Sequence, residues 1–191
     1  MRKIVLASAS PRRQELLKQI GLKFEVDPGN CEEVLRGDIE PAELAKSLSH
    51  QKAQAVAQKH PDAIVIAADT FIVAGKSLMG KARSEAEARE MLTELSGKSH
   101  SVITGFTIID TLKGKVVSQS VETKVWFRRL SEEEIDAYVK CGEPIGKAGA
   151  YAIQGLGSVI VERIEGDYSN VVGLPLTALA EALKGLGIPV L

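Results

Sequence analysis

The chain predicts an α/β fold with a mixed, twisted sheet and flanking helices. Three observations lead there. Strand and helix patterns interleave along most of the chain. The run Ala63 to Ala68 is apolar on both alternating faces, the pattern of a strand buried inside a sheet. Two long strand patterns, Ser101 to Asp110 and Val116 to Phe127, flank a Lys113-Gly114-Lys115 turn, which adds a hairpin. No linker-like segment, repeat or low-complexity tract divides the chain, so residues 1–191 read as a single domain.

The elements follow in order. Lys3 to Ala7 is a short apolar strand, and Ser8 to Ser10 a loop. Pro11 suits the first position of a helix, whose apolar face is Leu16, Leu17 and Ile20 and whose end is Gly21. Leu22 to Val26 reads as a second strand, and Asp27 to Asp38 as irregular chain carrying Glu32 and Glu33. A long helix spans about Pro41 to Lys59, stopping before Pro61. The buried strand from Ala63 ends at Asp69-Thr70. Ser84 and Glu87 have capping-box spacing and open a helix to about Leu95, closed by Gly97. After the hairpin, Ser131 and Glu134 repeat that spacing for a helix ending near Gly142. Ser158 to Ile164 reads as a strand, and Pro175 opens the last helix, to about Lys184.

The composition narrows the function. The 191 residues are 45% hydrophobic and 26% charged, which suits a sizeable core and argues against wholesale disorder. A formal net charge of -1 lacks the basic excess of a protein that grips nucleic acid through its backbone. No apolar run approaches a membrane span, and the start is too short for a signal peptide, so no membrane partner is expected. Cys31 and Cys141 read as reduced thiols in a cytoplasmic protein. His50, His60 and His100 lack zinc-ligand spacing, so any metal would be held by oxygen.

Three local conflicts point to chemistry. Arg12 and Arg13 occupy the first turn of a helix, where partial positive charge prefers acids. They are either solvated surface arginines or, with free amides and the hydroxyls of Ser8 and Ser10, an anion site. Lys52 projects from an apolar arc formed by Leu44, Ala45, Leu48, Ala55 and Val56. It either snorkels to the edge or points its ammonium at a phosphate or carboxylate. Asp69 is delivered by a buried strand, in the region where ligand sites of open α/β sheets gather. The alternative is a turn cap or a structural ion pair. Together, arginines and a lysine would bind phosphate oxygens, while Asp69 and Glu33 would hold a magnesium-type ion. Those residue types suit phosphoryl hydrolysis.

Other signals are set aside. Gly75-Lys76-Ser77 has the tail of a phosphate-binding loop, but Thr70 stands where its leading glycine belongs. Gly155-Leu156-Gly157 lacks a third glycine and reads as a turn. Glu132-Glu133-Glu134 is helix N-terminal charge. His100 reads as a structural strand residue.

Several of these residues also carry a family resemblance. Ser8-Ala9-Ser10-Pro11-Arg12-Arg13 resembles the N-terminal motif of the Maf family of nucleotide pyrophosphatases. The similarity continues in order through Gln51-Lys52-Ala53, Ala68-Asp69-Thr70, Gly80-Lys81, Leu95 to His100, Lys147 to Tyr151, Ile153-Gln154-Gly155, Gly166-Asp167-Tyr168 and Val172-Gly173-Leu174-Pro175. The resemblance implies a fold of the Maf and inosine-triphosphatase kind, with two lobes around a deep cleft. It implies water attack at the α-phosphate of a nucleoside triphosphate, release of pyrophosphate, and a divalent cation, magnesium or manganese.

By motif position, Asp69 would be the proton acceptor and a metal neighbour, with Glu33 the second acid. Arg13, Lys52 and Lys81 would bind the triphosphate, beside Ser8. Arg12, Thr70 and Gln154 match positions tied to nucleotide choice and resemble the branch acting on dTTP and UTP. Two positions depart from the family pattern: Ala82 where proline is common, expected to loosen the loop of Lys81, and Gly146 where aspartate is common. The alternatives are a pyrophosphatase for 7-methyl-GTP and a non-catalytic nucleotide sensor in septum or division control. Such folds also form symmetric homodimers.

Overall fold

The computed structural model describes residues 2–29 and 39–191. Its strands are β1 (Lys3–Leu6), β2 (Glu25–Val26), β3 (Ala63–Ala74), β4 (Ser77–Met79), β5 (Ser99–Asp110), β6 (Lys115–Phe127) and β7 (Val161–Glu165). Its helices are α1 (Pro11–Gln19), α2 (Pro41–Ala57), α3 (Glu85–Leu95), α4 (Glu132–Lys140), α5 (Tyr168–Val172) and α6 (Leu176–Gly185), with a 3₁₀ turn at Gly155–Val159. The strands form one mixed sheet in the order β2-β1-β3-β5-β6-β7, with β4 paired to β3. The α/β class and mixed sheet predicted from the sequence are therefore observed. No described helix is long and apolar enough to cross a membrane.

The chain divides into two compact units. The first comprises Met1–Asp69, Thr104–Val121 and Gly173–Leu191. Here β1 runs parallel to both β2 and β3, with Lys3 to Leu6 in register with Ala63 to Ile66. Small and branched side chains on one face of these strands, Val5, Ala7, Val65 and Ala67, pack with Ala53 and Val56 of α2. Helix and sheet approach closely at Gly105 of β5. A Cβ added there would fall 2.1 Å from the carbonyl oxygen of Ala45, so only glycine lets the α2 backbone seat. A chain of hydroxyls, from buried Ser49 and Thr107 out to exposed Ser118, accompanies the same contact. Ser49 Oγ donates to the Lys46 carbonyl (2.9 Å) and meets Thr107 Oγ1 (2.8 Å), which meets Ser118 Oγ (2.6 Å). At the far end of β5, buried Asp110 pairs with Arg2 and accepts the Lys113 amide at 2.9 Å.

The second unit comprises Thr70–Ile103 and Glu122–Val172. Its core gathers Ile72, Leu92, Leu95, Val102, Val125, Phe127, Ile135 and Tyr151 among others. The rings of His100, Phe127 and Tyr151 meet edge to face, with centroids 4.7–5.4 Å apart. His100 Nε2 lies 2.9 Å from the Tyr151 hydroxyl, and burial pushes the imidazole down to about 4. It is a neutral core histidine, as its strand position suggested. The capping box at Ser131 and Glu134 is complete. At α3 only half forms: Ser84 Oγ accepts the Glu87 amide, but Glu87 reaches the Arg83 amide instead.

The structure corrects three sequence expectations. β3 does not end at Asp69-Thr70 but continues to Ala74. Phe71 and Ile72 are buried, and the strand turns through Gly75 (φ +58°) into antiparallel β4. The Gly75-Lys76-Ser77 run is that hairpin. The expected strand at Ser158 begins only at Val161, because Gly155–Val159 coils into the 3₁₀ turn. The second strand shrinks from Leu22–Val26 to Glu25–Val26.

Candidate active site

Strand alternation explains why Asp69 faces helix α2. Val65 and Ala67 lie on the face covered by Ala53 and Val56, and residue 69 keeps the same parity. Lys52 precedes Ala53 on the helix. Its ammonium is hydrogen-bonded to Asp69 Oδ1, across seventeen residues of sequence. Both side chains are largely withdrawn from solvent, at 17% and 15% exposure. Lys52 thus meets a carboxylate rather than snorkelling away. The helix buries Leu44, Ala45, Leu48, Ser49, Ala53 and Val56. Ala53 and Ser49 thus join the expected apolar arc, while Ala55 is only half-buried.

The loop after β1 brings a second group to the same end of the strands. The parallel register places Leu6 beside Ile66, and the Ala7 amide donates to the Ile66 carbonyl at 2.8 Å. Ser8, after β1, and Asp69, on β3, therefore both lie within three residues of the last paired position of these parallel strands. Ser8 is buried. Its Oγ accepts from the Ser10 amide and from Arg13 Nη1, each at 3.3 Å. Arg13 Nε donates to the carbonyl of Gly173 at 2.8 Å, which aims the guanidinium. Gly173 has φ +128°, a conformation that L side chains rarely adopt. The sequence signalled this residue only as part of Val172-Gly173-Leu174-Pro175, since a carbonyl acceptor leaves no side-chain trace.

The N-terminus of α1 carries no acidic residue in its first turn, and Ser10 makes no side-chain cap. Arg12 pairs with Glu15 at 3.0 Å on the exposed face of its own helix. The first unit thus brings together Ser8 with Arg13 and Lys52 with Asp69, while Arg12 turns to a local partner. Cationic hydrogen-bond donors and one carboxylate just beyond the paired stretch of neighbouring parallel strands can bind an anion and accept a proton. Glu33 and Glu32 lie outside the described residues.

The other candidates belong to the second unit. Thr70 follows Asp69 on β3 and is half-buried. Lys81 is exposed and sits in an isolated antiparallel bridge with Ala148. Around it the Gly149 amide donates to the Gly80 carbonyl (3.0 Å), Ala82 to Lys147 (3.1 Å) and Gly146 to Ala82 (2.8 Å). The two departures from the family pattern therefore bond to each other. The Ala82 amide, which proline would lack, ties the loop of Lys81 rather than loosening it. Gly146, at φ +76°, occupies a conformation suited to glycine. Next to this bridge, Ala150 is the one non-glycine residue with positive φ among the described residues, and it is fully buried. Gln154 is half-buried, and its Oε1 has no hydrogen-bond partner among the described residues. Asp167 of the Gly166-Asp167-Tyr168 motif caps α5, accepting from the amides of Ser169 (2.7 Å) and Asn170 (3.2 Å).

Comparison with known proteins adds the following. Residues 3–186 match the family model described as Maf-like protein. A dTTP/UTP pyrophosphatase of Bacillus cereus (strain AH820) is 50% identical over 190 residues, covering 100% of this chain and 98% of the relative. Another protein of that name, from Desulforamulus reducens, is 46% identical over 190 residues and 100% of both chains. One from Syntrophus aciditrophicus is 46% identical over 185 residues, 97% of this chain and 90% of the relative. Among solved structures, the Ham1 protein of Staphylococcus aureus shares the fold, with a TM-score of 0.50 at 17% identity over 97% of this chain and 100% of that one.

Proposed function

The chain belongs to the Maf family, and from that premise we propose that it hydrolyses dTTP and UTP to the monophosphate and pyrophosphate. The observation that carries the reading is the Lys52–Asp69 pair on β3 and the Ser8–Arg13 pair after β1, both just beyond the paired stretch of these parallel strands. In this reading residues 1–191 act as one catalytic domain, working on nucleotides of the cytoplasm.

In this reading Asp69 accepts a proton from the water that attacks the α-phosphate. Arg13, steered by Gly173, and Ser8 hold phosphate oxygens. Lys52 transfers part of its pairing from Asp69 to the triphosphate, offsetting charge that grows as the bond to pyrophosphate breaks. Lys81 binds the same tail from its bridged loop. Arg12, Thr70 and Gln154 select the base, and the amide of Gln154 can donate and accept on a pyrimidine edge.

The donor set also fits a divalent cation. No group of three His, Cys, Asp or Glu suited to a metal occurs among the described residues. A magnesium-type ion needs only one or two carboxylates when phosphate oxygens and water complete its shell. Asp69 offers one, and Glu33 would be the second. When bound, such an ion supplies charge neutralisation at the phosphate oxygens.

The test is a panel of nucleoside triphosphates assayed for pyrophosphate, with and without magnesium or manganese. The reading requires metal-dependent release of pyrophosphate and monophosphate, fastest with dTTP and UTP. Turnover confined to 7-methyl-GTP would overturn the base assignment, and tight binding without turnover would overturn the catalytic one.

A further inference from the structure

The loop that carries Gln154 is held from both sides by one half-buried arrangement. Glu143 follows the Gly142 turn (φ +79°) after α4. Its Oε1 accepts from the Tyr138 hydroxyl (2.8 Å) and the Gly157 amide (2.9 Å). Its Oε2 accepts from the Leu156 amide (3.2 Å). The Tyr138 hydroxyl in turn accepts the Ala152 amide at 3.2 Å. Backbone two residues before Gln154, and two and three residues after it, is therefore fastened to the same pair of side chains.

Two glycines permit that approach. At Gly155 (φ +83°) a Cβ would fall 2.4 Å from Glu143 Oε2. At Gly157 it would fall 2.1 Å from the Ala152 carbonyl oxygen and 2.7 Å from the Tyr138 hydroxyl. The Gly155-Leu156-Gly157 run is thus a carboxylate cradle rather than part of a dinucleotide fingerprint. Between the anchors, Gln154 is held extended (φ −93°, ψ 149°), with its Oε1 buried and without a donor among the described residues. A buried acceptor without a donor is unfavourable unless a ligand supplies one. The imide N–H of a thymine or uracil ring is such a donor, whereas the same ring position in cytosine is an acceptor.

We infer that Glu143 is a positioning residue that fixes the Gln154 amide to read the imide edge of the pyrimidine. The inference rests on the assignment of Gln154 to base selection. Glu143 touches neither the triphosphate nor the reacting atoms in this scheme. It acts by accepting three hydrogen bonds that a neutral amide cannot all accept, because Gln offers one acceptor atom in place of two.

The experiment measures kcat/KM of Glu143→Gln, Gln154→Ala and the double variant for dTTP and dCTP, with pyrophosphate as the readout. Glu143→Gln should lower the dTTP-to-dCTP preference by about tenfold or more. In the Gln154→Ala background it should change that ratio no further, since both substitutions remove the same contact. Tyr138→Phe, which deletes one donor and keeps the ring, should lower the ratio by a smaller factor. It also serves if Glu143→Gln fails to fold. An equal loss of kcat/KM for both nucleotides, or an undiminished effect of Glu143→Gln without Gln154, would show a merely structural carboxylate. If Gln154→Ala lowers the ratio and neither Glu143→Gln nor Tyr138→Phe does, only this inference falls. If Gln154→Ala leaves the ratio unchanged, the base assignment falls with it.

Discussion

Lys52 on α2 and Asp69 on β3 form an ion pair directly beyond the small-residue core that seats the helix on the sheet. The pair is a continuation of that packing. Ala53 and Val56 set the height of the helix above Val65 and Ala67, and the next position of the same strand face carries the carboxylate. The ammonium and the carboxylate are thereby held by the scaffold before any substrate arrives, which in the proposed reading lowers the ordering cost of the reaction.

Asp69→Asn keeps the shape of the side chain and removes the proton acceptor. It should lower kcat by about a hundred- to ten-thousand-fold, the usual range for a positioned base. Circular dichroism should report an unchanged fold. Wild-type turnover would remove Asp69 from catalysis. Lys52→Ala should raise KM and lower kcat together, because in the proposed reading the ammonium meets the phosphates in both the ground and transition states. An unchanged kcat and KM would reduce the pair to a structural salt bridge.

Gly105→Ala tests the seating itself. The added methyl would meet the Ala45 carbonyl at 2.1 Å, and backbone cannot yield as a flexible side chain would. Overpacking of this kind costs about 1–3 kcal/mol. A lowered denaturation midpoint is expected, with reduced kcat in the fraction that folds, since α2 carries Lys52. An unchanged midpoint would mean that the contact relaxes freely and does not set the helix position.

Much of this arrangement was legible in the chain, for identifiable reasons. Pro11 and Gly21 bracket α1 because each has a conformational preference that acts locally. Lys52 stood out because a lysine in an apolar arc needs an explanation. The length of β3 was not legible: Asp69-Thr70 interrupts an apolar run that resumes at Phe71, and only pairing with β4 shows that the strand continues. The Gly173 carbonyl and the Glu143 cradle were not legible either. Their roles are created by backbone atoms that tertiary structure brings together, and side-chain patterns do not report those. The Ala82 departure is visible in the sequence, but the bond from its amide to the Lys147 carbonyl is not.

Ala82→Pro would restore the residue common in the family and delete that bond. The Lys147 carbonyl would lose its donor, for a cost of about 1 kcal/mol. KM should rise with little change in kcat if Lys81 serves mainly to bind the tail. Thermal denaturation and steady-state kinetics measured together decide the outcome. A more stable variant with unchanged KM would show that the bond contributes nothing to holding Lys81.

The burial of His100 should make stability depend on pH in the mildly acid range. The folded imidazole titrates near 4 because burial disfavours its charged form, whereas an unfolded histidine titrates near 6.5. Between those values the unfolded chain binds the extra proton, so stability falls as pH drops from about 6.5 towards 4, and this contribution is constant outside that window. The loss is at most about 3 kcal/mol. Asp110 behaves differently. Its hydrogen bond from Arg2 holds it below the ordinary carboxylate value of 3.8, so its stabilisation persists until the pH falls below that value. Denaturant midpoints measured from pH 7 to pH 4 should therefore decline in the native protein. His100→Gln removes the titrating group and should flatten the decline, whatever its own midpoint at pH 7. A variant that keeps the full slope would mean that His100 is not the group that loses its proton on burial, and that the edge-to-face contacts with Phe127 and Tyr151 tolerate the charged ring.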